Sequence, residues 1–251
     1  MRCWLGTFLC AVCVFFFSAA FAQTDEIQVY TGEIVAPGTF GLTLHNNYVA
    51  DGRKAPDFAG GIVPHHSWNG VPELAYGVTD WLEVGTYLPV YTVADGKVKI
   101  DSVKLRALFV APHNEDRGFF YGVNFELSFN AKHWDQSRNT GEMRPIIGWR
   151  WGPMDFIINP ILDTSFDGFS HLDFAPAERI DYNVSKTWAI ALEHYADFGP
   201  LRGFLPHDQQ DQSLFAVVDY GGKVNVEFGV GHSFTAGGDP LVIKLMLAFD
   251  L

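Results

Sequence analysis

The 251-residue chain carries 17 basic and 29 acidic side chains, a formal charge of −12 at pH 7. An acidic surface with no basic patch to displace counterions excludes nucleic-acid binding. Aromatic residues make up 15% of the chain, yet after residue 22 no run of about 18 uninterrupted apolar residues occurs, which excludes a membrane-spanning helix there.

The chain opens with Met1-Arg2, continues through an apolar stretch from Cys3 to Phe17, and reaches Ala20-Phe21-Ala22. A short basic region, an apolar region and a small-residue site mark residues 1–22 as a signal peptide. The apolar stretch is shorter than the roughly 20 residues a spanning helix needs. All three cysteines, Cys3, Cys10 and Cys13, lie within it. The processed chain then has no disulfide, no Cys-ligated zinc and no cysteine nucleophile. Leu9 and Val12 precede Cys10 and Cys13, where lipid attachment needs a small residue. Residues 23–37 form an N-terminal periplasmic or plug segment ahead of the regular pattern.

From residue 38 onward the pattern is alternation with period two, the mark of strands with one apolar face. Segment 38–50 sets Phe40, Leu42, Leu44 and Tyr48 against Thr39, Thr43, His45 and Asn47. Segments 71–79, 81–92, 97–111 and 118–130 follow, with Leu82, Val84, Leu88 and Val90 assigned to one face of the second. Then come 142–151, 154–163, 171–184, 187–197, 212–220, 223–234 and 241–251, about twelve strands in all. The last sets Leu241, Ile243, Leu245, Leu247 and Phe249 against Val242, Lys244, Met246 and Ala248. Asn159-Pro160 interrupts its strand, because proline removes a ladder donor, and predicts a bulge or kink.

Short connections at 79–81, 152–153, 185–187 and 221–222 interleave with longer ones at 51–70, 131–141 and 198–211, while Asp95-Gly96 is a tight hairpin on the long-loop side. Short periplasmic turns against long outer loops are the signature of a transmembrane barrel. Parity fixes the register, since paired residues share a face. It predicts Tyr76 beside Val84, Val84 opposite Ala107, Leu88 opposite Val103, Arg106 opposite Gly85, Ile180 opposite Leu192 and Arg179 opposite Glu193. The fold class is therefore all-β: a single antiparallel transmembrane β-barrel of about twelve strands over residues 38–251, with both ends periplasmic.

One face carries Glu73, Glu83, Lys104, Arg106, Glu126, Arg144, Arg150, Arg179, Glu193, Asp219, Glu227 and Lys244. A midplane Arg or Lys on the lipid face costs about 2–4 kcal/mol, so this face looks into the lumen. Two readings stand: structural pairs that fill a narrow barrel and set its register, or the lining of a permeation path. His65-His66-Ser67 lies in the first long loop. The adjacent histidines are metal candidates, although no metal or other cofactor is expected. The serine is a remote candidate for a lipid-modifying hydrolase, which needs it on a strand with an oriented base. His232 and Ser233 are adjacent, so on a strand their side chains point to opposite faces. No catalytic residue is assigned.

The stretches Pro72–Tyr91 (PELAYGVTDWLEVGTYLPVY), Asn159–Asp167 (NPILDTSFD), Phe174–Pro200 and Ser213–Val218 resemble outer-membrane proteins grouped under the "meta-pathway of phenol degradation" and described as transporters. The resemblance covers most of the chain after the signal peptide. It implies a barrel of the Gram-negative outer membrane that passes small, hydrophobic or aromatic compounds. Such barrels commonly finish in Phe or Trp, whereas this chain finishes in Leu251. The expected partners are outer-membrane lipid, a small-molecule solute and the barrel-assembly machinery, with no nucleic acid. The alternative to a channel is a plugged barrel with a structural or binding role.

Overall fold

The computed structural model describes residues 26–114 and 118–251. The signal-peptide reading of residues 1–22 and the three cysteines fall outside the described residues. Among the described residues fourteen strands run in chain order: β1 (Phe40–Asp51), β2 (Trp68–Gly77), β3 (Leu82–Ala94), β4 (Lys97–Val110), β5 (Phe119–Asn130), β6 (Asn139–Trp151), β7 (Met154–Asn159), β8 (Leu162–Thr164), β9 (Asp173–Phe174), β10 (Ala177–Asn183), β11 (Trp188–Asp197), β12 (Asp211–Tyr220), β13 (Asn225–Ser233) and β14 (Leu241–Asp250). Strands β1 to β7 pair in sequence, β7 pairs with β10, β10 to β14 continue, and β14 pairs with β1 to close the sheet.

All these pairings are antiparallel. The short β8 and β9 extend β7 and β10 beyond interruptions at residues 160–161 and 175–176. The wall is thus a closed barrel of twelve staves, two of them broken. Closure removes every free sheet edge. No helix among the described residues is long and apolar enough to cross a membrane.

The breaks have one cause. The registers Ile147↔Ile158 and Met143↔Leu162 place Pro145 opposite Pro160. The registers Asn159↔Ala177 and Leu162↔Phe174 place Pro160 opposite Pro176. Three prolines therefore stand in one row across three neighbouring staves, and none can donate to the ladder. The bond from Ala175 N to Ile161 O, 3.1 Å, bridges the second of these gaps.

Pairs predicted by parity are present: Tyr76↔Val84, Val84↔Ala107, Gly85↔Arg106, Ile180↔Leu192 and Arg179↔Glu193. Leu88 opposite Val103 is not. The β3–β4 register shifts between Tyr87 and Val90, at Leu88-Pro89, and shifts back by Tyr91. A bulge adds one residue and inverts the parity beyond it. Val90, assigned above to the face of Leu82 and Val84, is instead wholly buried.

Outward positions such as Leu74, Val84, Leu105, Phe125, Leu127, Leu192 and Phe228 are exposed and apolar. At the end with the short turns a ring of aromatics surrounds the wall. Phe40 meets Tyr76 at 4.8 Å, Phe119 meets Trp149 at 5.9 Å and Trp188 meets Tyr220 at 4.9 Å. An apolar band with an aromatic girdle is the outer surface a barrel presents to a bilayer.

Candidate functional site

The chain from residue 26 to 37 runs through the interior. Ile27, Val29 and Tyr30 are buried there. A buried backbone must find hydrogen-bond partners, and this one finds them on wall side chains. Tyr30 N donates to Asn159 Oδ1 (2.7 Å), and Asn159 Nδ2 donates to Tyr30 O (3.1 Å). Arg144 Nη1 donates to Gln28 O (3.1 Å), Lys244 Nζ to Ile27 O (3.3 Å), and Val35 N to Glu83 Oε2 (2.5 Å). Pro37 bridges to Gly77 at the turn end. A Cβ at Gly77 would sit 2.3 Å from the carbonyl oxygens of Val35 and Ala36, so only glycine lets the segment lie against the wall at this point. Small inward residues make room elsewhere too: a Cβ at Gly148 would sit 1.9 Å from Phe120 Cζ.

The charged face assembles around this segment in two groups. In the first, Arg106 pairs with Glu83 and donates from Nε to Glu73 Oε1 at 2.6 Å. Glu73 Oε2 lies 3.0 Å from His45 Nε2. Glu126 accepts from Asn124 Nδ2 (2.9 Å), Tyr87 OH (3.2 Å) and Tyr30 OH (3.3 Å), with Lys104 Nζ at 3.8 Å. Arg144 holds Glu142 through Nε and Nη2, at 2.7 and 2.9 Å, and its guanidinium lies 4.5 Å from the Tyr30 ring.

In the second group Arg179 binds four carboxylates: Asp181, Glu193, Glu227 and Asp219. Lys244 pairs with Glu193 and, at 2.6 Å, with Glu227. Arg150 belongs to neither group. It donates to Asn114 O at 2.6 Å and lies 4.0 Å from the Phe120 ring. Glu73, Glu83, Arg106, Glu126, Arg144, Arg179, Glu193, Glu227 and Lys244 are buried, while Lys104 and Arg150 are partly exposed.

Several interior residues gave no sequence signal of their own. Asn159 read as a strand break, and Tyr30 lay in a segment without pattern. Trp134, in the loop between β5 and β6, is buried with Ile62, Val71, Tyr87, Val90 and Ala94 near the loop end. A single tryptophan in an otherwise polar loop was the available cue. That loop is held from below: Asn69 Nδ2 donates to Thr92 Oγ1 (2.7 Å), Thr92 Oγ1 to Asp101 Oδ2 (2.5 Å), and His133 Nε2 lies 2.9 Å from Asp101 Oδ1.

His65 and His66 have ring centroids 3.9 Å apart, but His65 Nδ1 faces Asp51 (3.3 Å) and His66 Nδ1 faces the Tyr48 hydroxyl (3.3 Å). The three-residue group of metal-ligand type among the described residues is Glu26, His45 and Glu73, with ligand atoms within 4.8 Å of one another. Arg106 already neutralises Glu73 there. Ser67 is buried in the turn entering β2, away from the outward face. His232 Nδ1 meets Pro240 O at 2.6 Å, whereas Ser233 is buried. In the first long loop Asp57 pairs with Arg53, yet burial raises its carboxyl above the usual range.

At mid-height Asn124, Asn159 and Glu193 have no exposed surface. Below it, at the turn end, two cavities of about 370 and 260 Å³ lie along the N-terminal segment. Above it, a cavity of about 150 Å³ lies between Glu26, Arg144, Asp163, Asp211 and Asp239.

No protein-family model matches the chain, and no curated protein matches its sequence. Solved structures do. The COG4313 outer membrane channel from Pseudomonas putida F1 superposes with a TM-score of 0.59 at 13% identity, over 90% of this chain and 100% of that one. The KdgM porin gives 0.57 at 9% identity, over 84% and 99%. The NanC porin gives 0.56 at 9% identity, over 84% and 100%. The chain thus has the fold of outer-membrane β-barrel channels.

Proposed function

We propose that this protein is an outer-membrane channel for small solutes, closed in the present conformation by residues 26–37. The observation that carries the reading is the filling of a charged interior by a segment that joins the ladder at Pro37, through its bridge to Gly77, and is otherwise held by wall side chains. Side-chain bonds hold it, and each can be exchanged for water. A wall closed by twelve staves needs no such filler to satisfy its backbone. The signal peptide expected from the sequence of residues 1–22, the apolar outer band and the aromatic girdle support export to the outer membrane of a Gram-negative bacterium. Both ends then face the periplasm, lipid surrounds the wall, and the barrel-assembly machinery inserts it. Deleting residues 26–37 tests the reading: the variant should conduct in planar bilayers where the intact protein is mostly closed.

A second route is favoured by the row Pro145, Pro160, Pro176. The cavity at the loop end reaches this part of the wall through Ile161, Ala175 and Pro176. Where the ladder lacks donors, the staves separate at lower cost, and a hydrophobic or aromatic solute can leave sideways into lipid. The resemblance to aromatic-compound transporters agrees with this route, while the charged interior suits polar solutes. A barrel without transport predicts that neither the deletion nor changes at these prolines alter any flux.

A further inference from the structure

The interior looks balanced, with acids and bases interleaved, but around Arg179 and at the loop-end cavity the acids outnumber the bases that they hold. Arg179 and Lys244 are shared among Asp181, Glu193, Asp219 and Glu227, two cations for four carboxylates. Arg106 is held by Glu73 and Glu83. At the loop-end cavity Arg144 is held by Glu142, and Arg53 by Asp57 and Asp239. Asp163, Asp197 and Asp211 line the same cavity. Among the described residues the Asp163 side chain makes no hydrogen bond or ion pair. An arriving anion finds no uncommitted guanidinium or ammonium among these groups, while an arriving cation finds carboxylates in excess.

We propose that the passage selects small cations, organic ammonium ions included, over anions, and that the loop-end cavity is where they are captured. The proposal rests on the channel reading and adds a substrate class to it. Rings of carboxylates with low-dielectric walls focus a negative potential and raise local cation concentration. Tyr195 and Phe215 border the same cavity. Their rings already lie 5.7 and 5.8 Å from the Lys244 ammonium, so ammonium on an aromatic face is chemistry the protein itself uses.

The test is a reversal-potential measurement under a KCl gradient, on the intact protein and on the variant lacking residues 26–37. A K⁺ over Cl⁻ permeability ratio of about 3 or more is expected from a potential of one or more kT. Asp163→Asn should lower the ratio and Asp163→Lys lower it further, both variants keeping the folded mobility on a gel. A ratio at or below one overturns the proposal.

Calorimetric titration of the folded protein in detergent, with spermidine and with citrate, gives a second readout independent of conduction. Spermidine binding weakened by Asp163→Asn supports the cavity, whereas equal binding of both probes, or of neither, overturns it. A protein that binds spermidine in this way but never conducts sinks the channel reading alone.

Discussion

Asn159 and Tyr30 hold one another by a reciprocal pair of hydrogen bonds, side-chain amide to backbone amide. Asn159 thus supplies to the N-terminal segment the donor and acceptor that a neighbouring strand would supply. It can do so because strand alternation turns it inward, two residues beyond buried Ile157. Asn159→Ala orphans both backbone groups of Tyr30, at a cost of about 1–3 kcal/mol. The segment should leave more often, and the single-channel open probability should rise about tenfold, since a tenfold change corresponds to roughly 1.4 kcal/mol. An unchanged open probability would count against the segment as the closing element.

Arg179 is the hub of the second charge group. Arg179→Met leaves four carboxylates, Asp181, Glu193, Asp219 and Glu227, to share the Lys244 ammonium, which reaches Glu193 and Glu227, so that Asp181 and Asp219 lose their cation in a low-dielectric interior. Breaking a buried ion pair from one side costs about 3–5 kcal/mol. The variant should unfold at markedly lower urea concentration, followed by loss of the fast-migrating folded band. Adding Asp181→Asn and Asp219→Asn should restore much of the loss, because the penalty lies in the carboxylates that lose their cation while Glu193 and Glu227 keep Lys244.

These contacts show where the sequence was legible. Strand number and the lumen face could be read because one physical demand, apolar outside and polar inside, acts at every second residue of every stave. The register of Arg179 with Glu193 followed from the same parity. The Leu88-Pro89 bulge escaped because Leu88, Val90 and their neighbours are apolar on both sides of the shift. Val90 looks alike whether it meets lipid or the buried cluster around Trp134. Pro160 announced a break, but its alignment with Pro145 and Pro176 depends on pairing between staves, which single-strand patterns do not carry. The path of residues 26–37 was illegible because its partners are scattered side chains with no period.

Trp134 closes the loop end together with Ile62. Trp134→Ala removes a large buried side chain, and truncations of this kind cost about 3–5 kcal/mol. The cost here should fall on the loop, since the twelve-stave wall does not depend on Trp134. Limited proteolysis should show faster cleavage within 131–138, with the folded gel mobility unchanged. Equal cleavage rates would show that the loop is held by Asp101 and His133 alone.

The proline row can be tested by restoring donors. Changing Pro145, Pro160 and Pro176 together to alanine gives each stave back its amide and should stiffen this part of the wall. Uptake of a hydrophobic aromatic probe into proteoliposome lipid should fall, while ion conductance of the variant lacking 26–37 should not. If both change together, the wall and the lumen are one route.

The central claim is that residues 26–37 close an otherwise continuous passage. Single-channel recording in planar bilayers of the purified intact protein beside the variant lacking these residues addresses it most directly. The account predicts brief, rare openings for the intact barrel and a sustained, larger conductance for the variant, with both migrating as folded barrels. Two folded proteins with the same conductance, or with none, would contradict it.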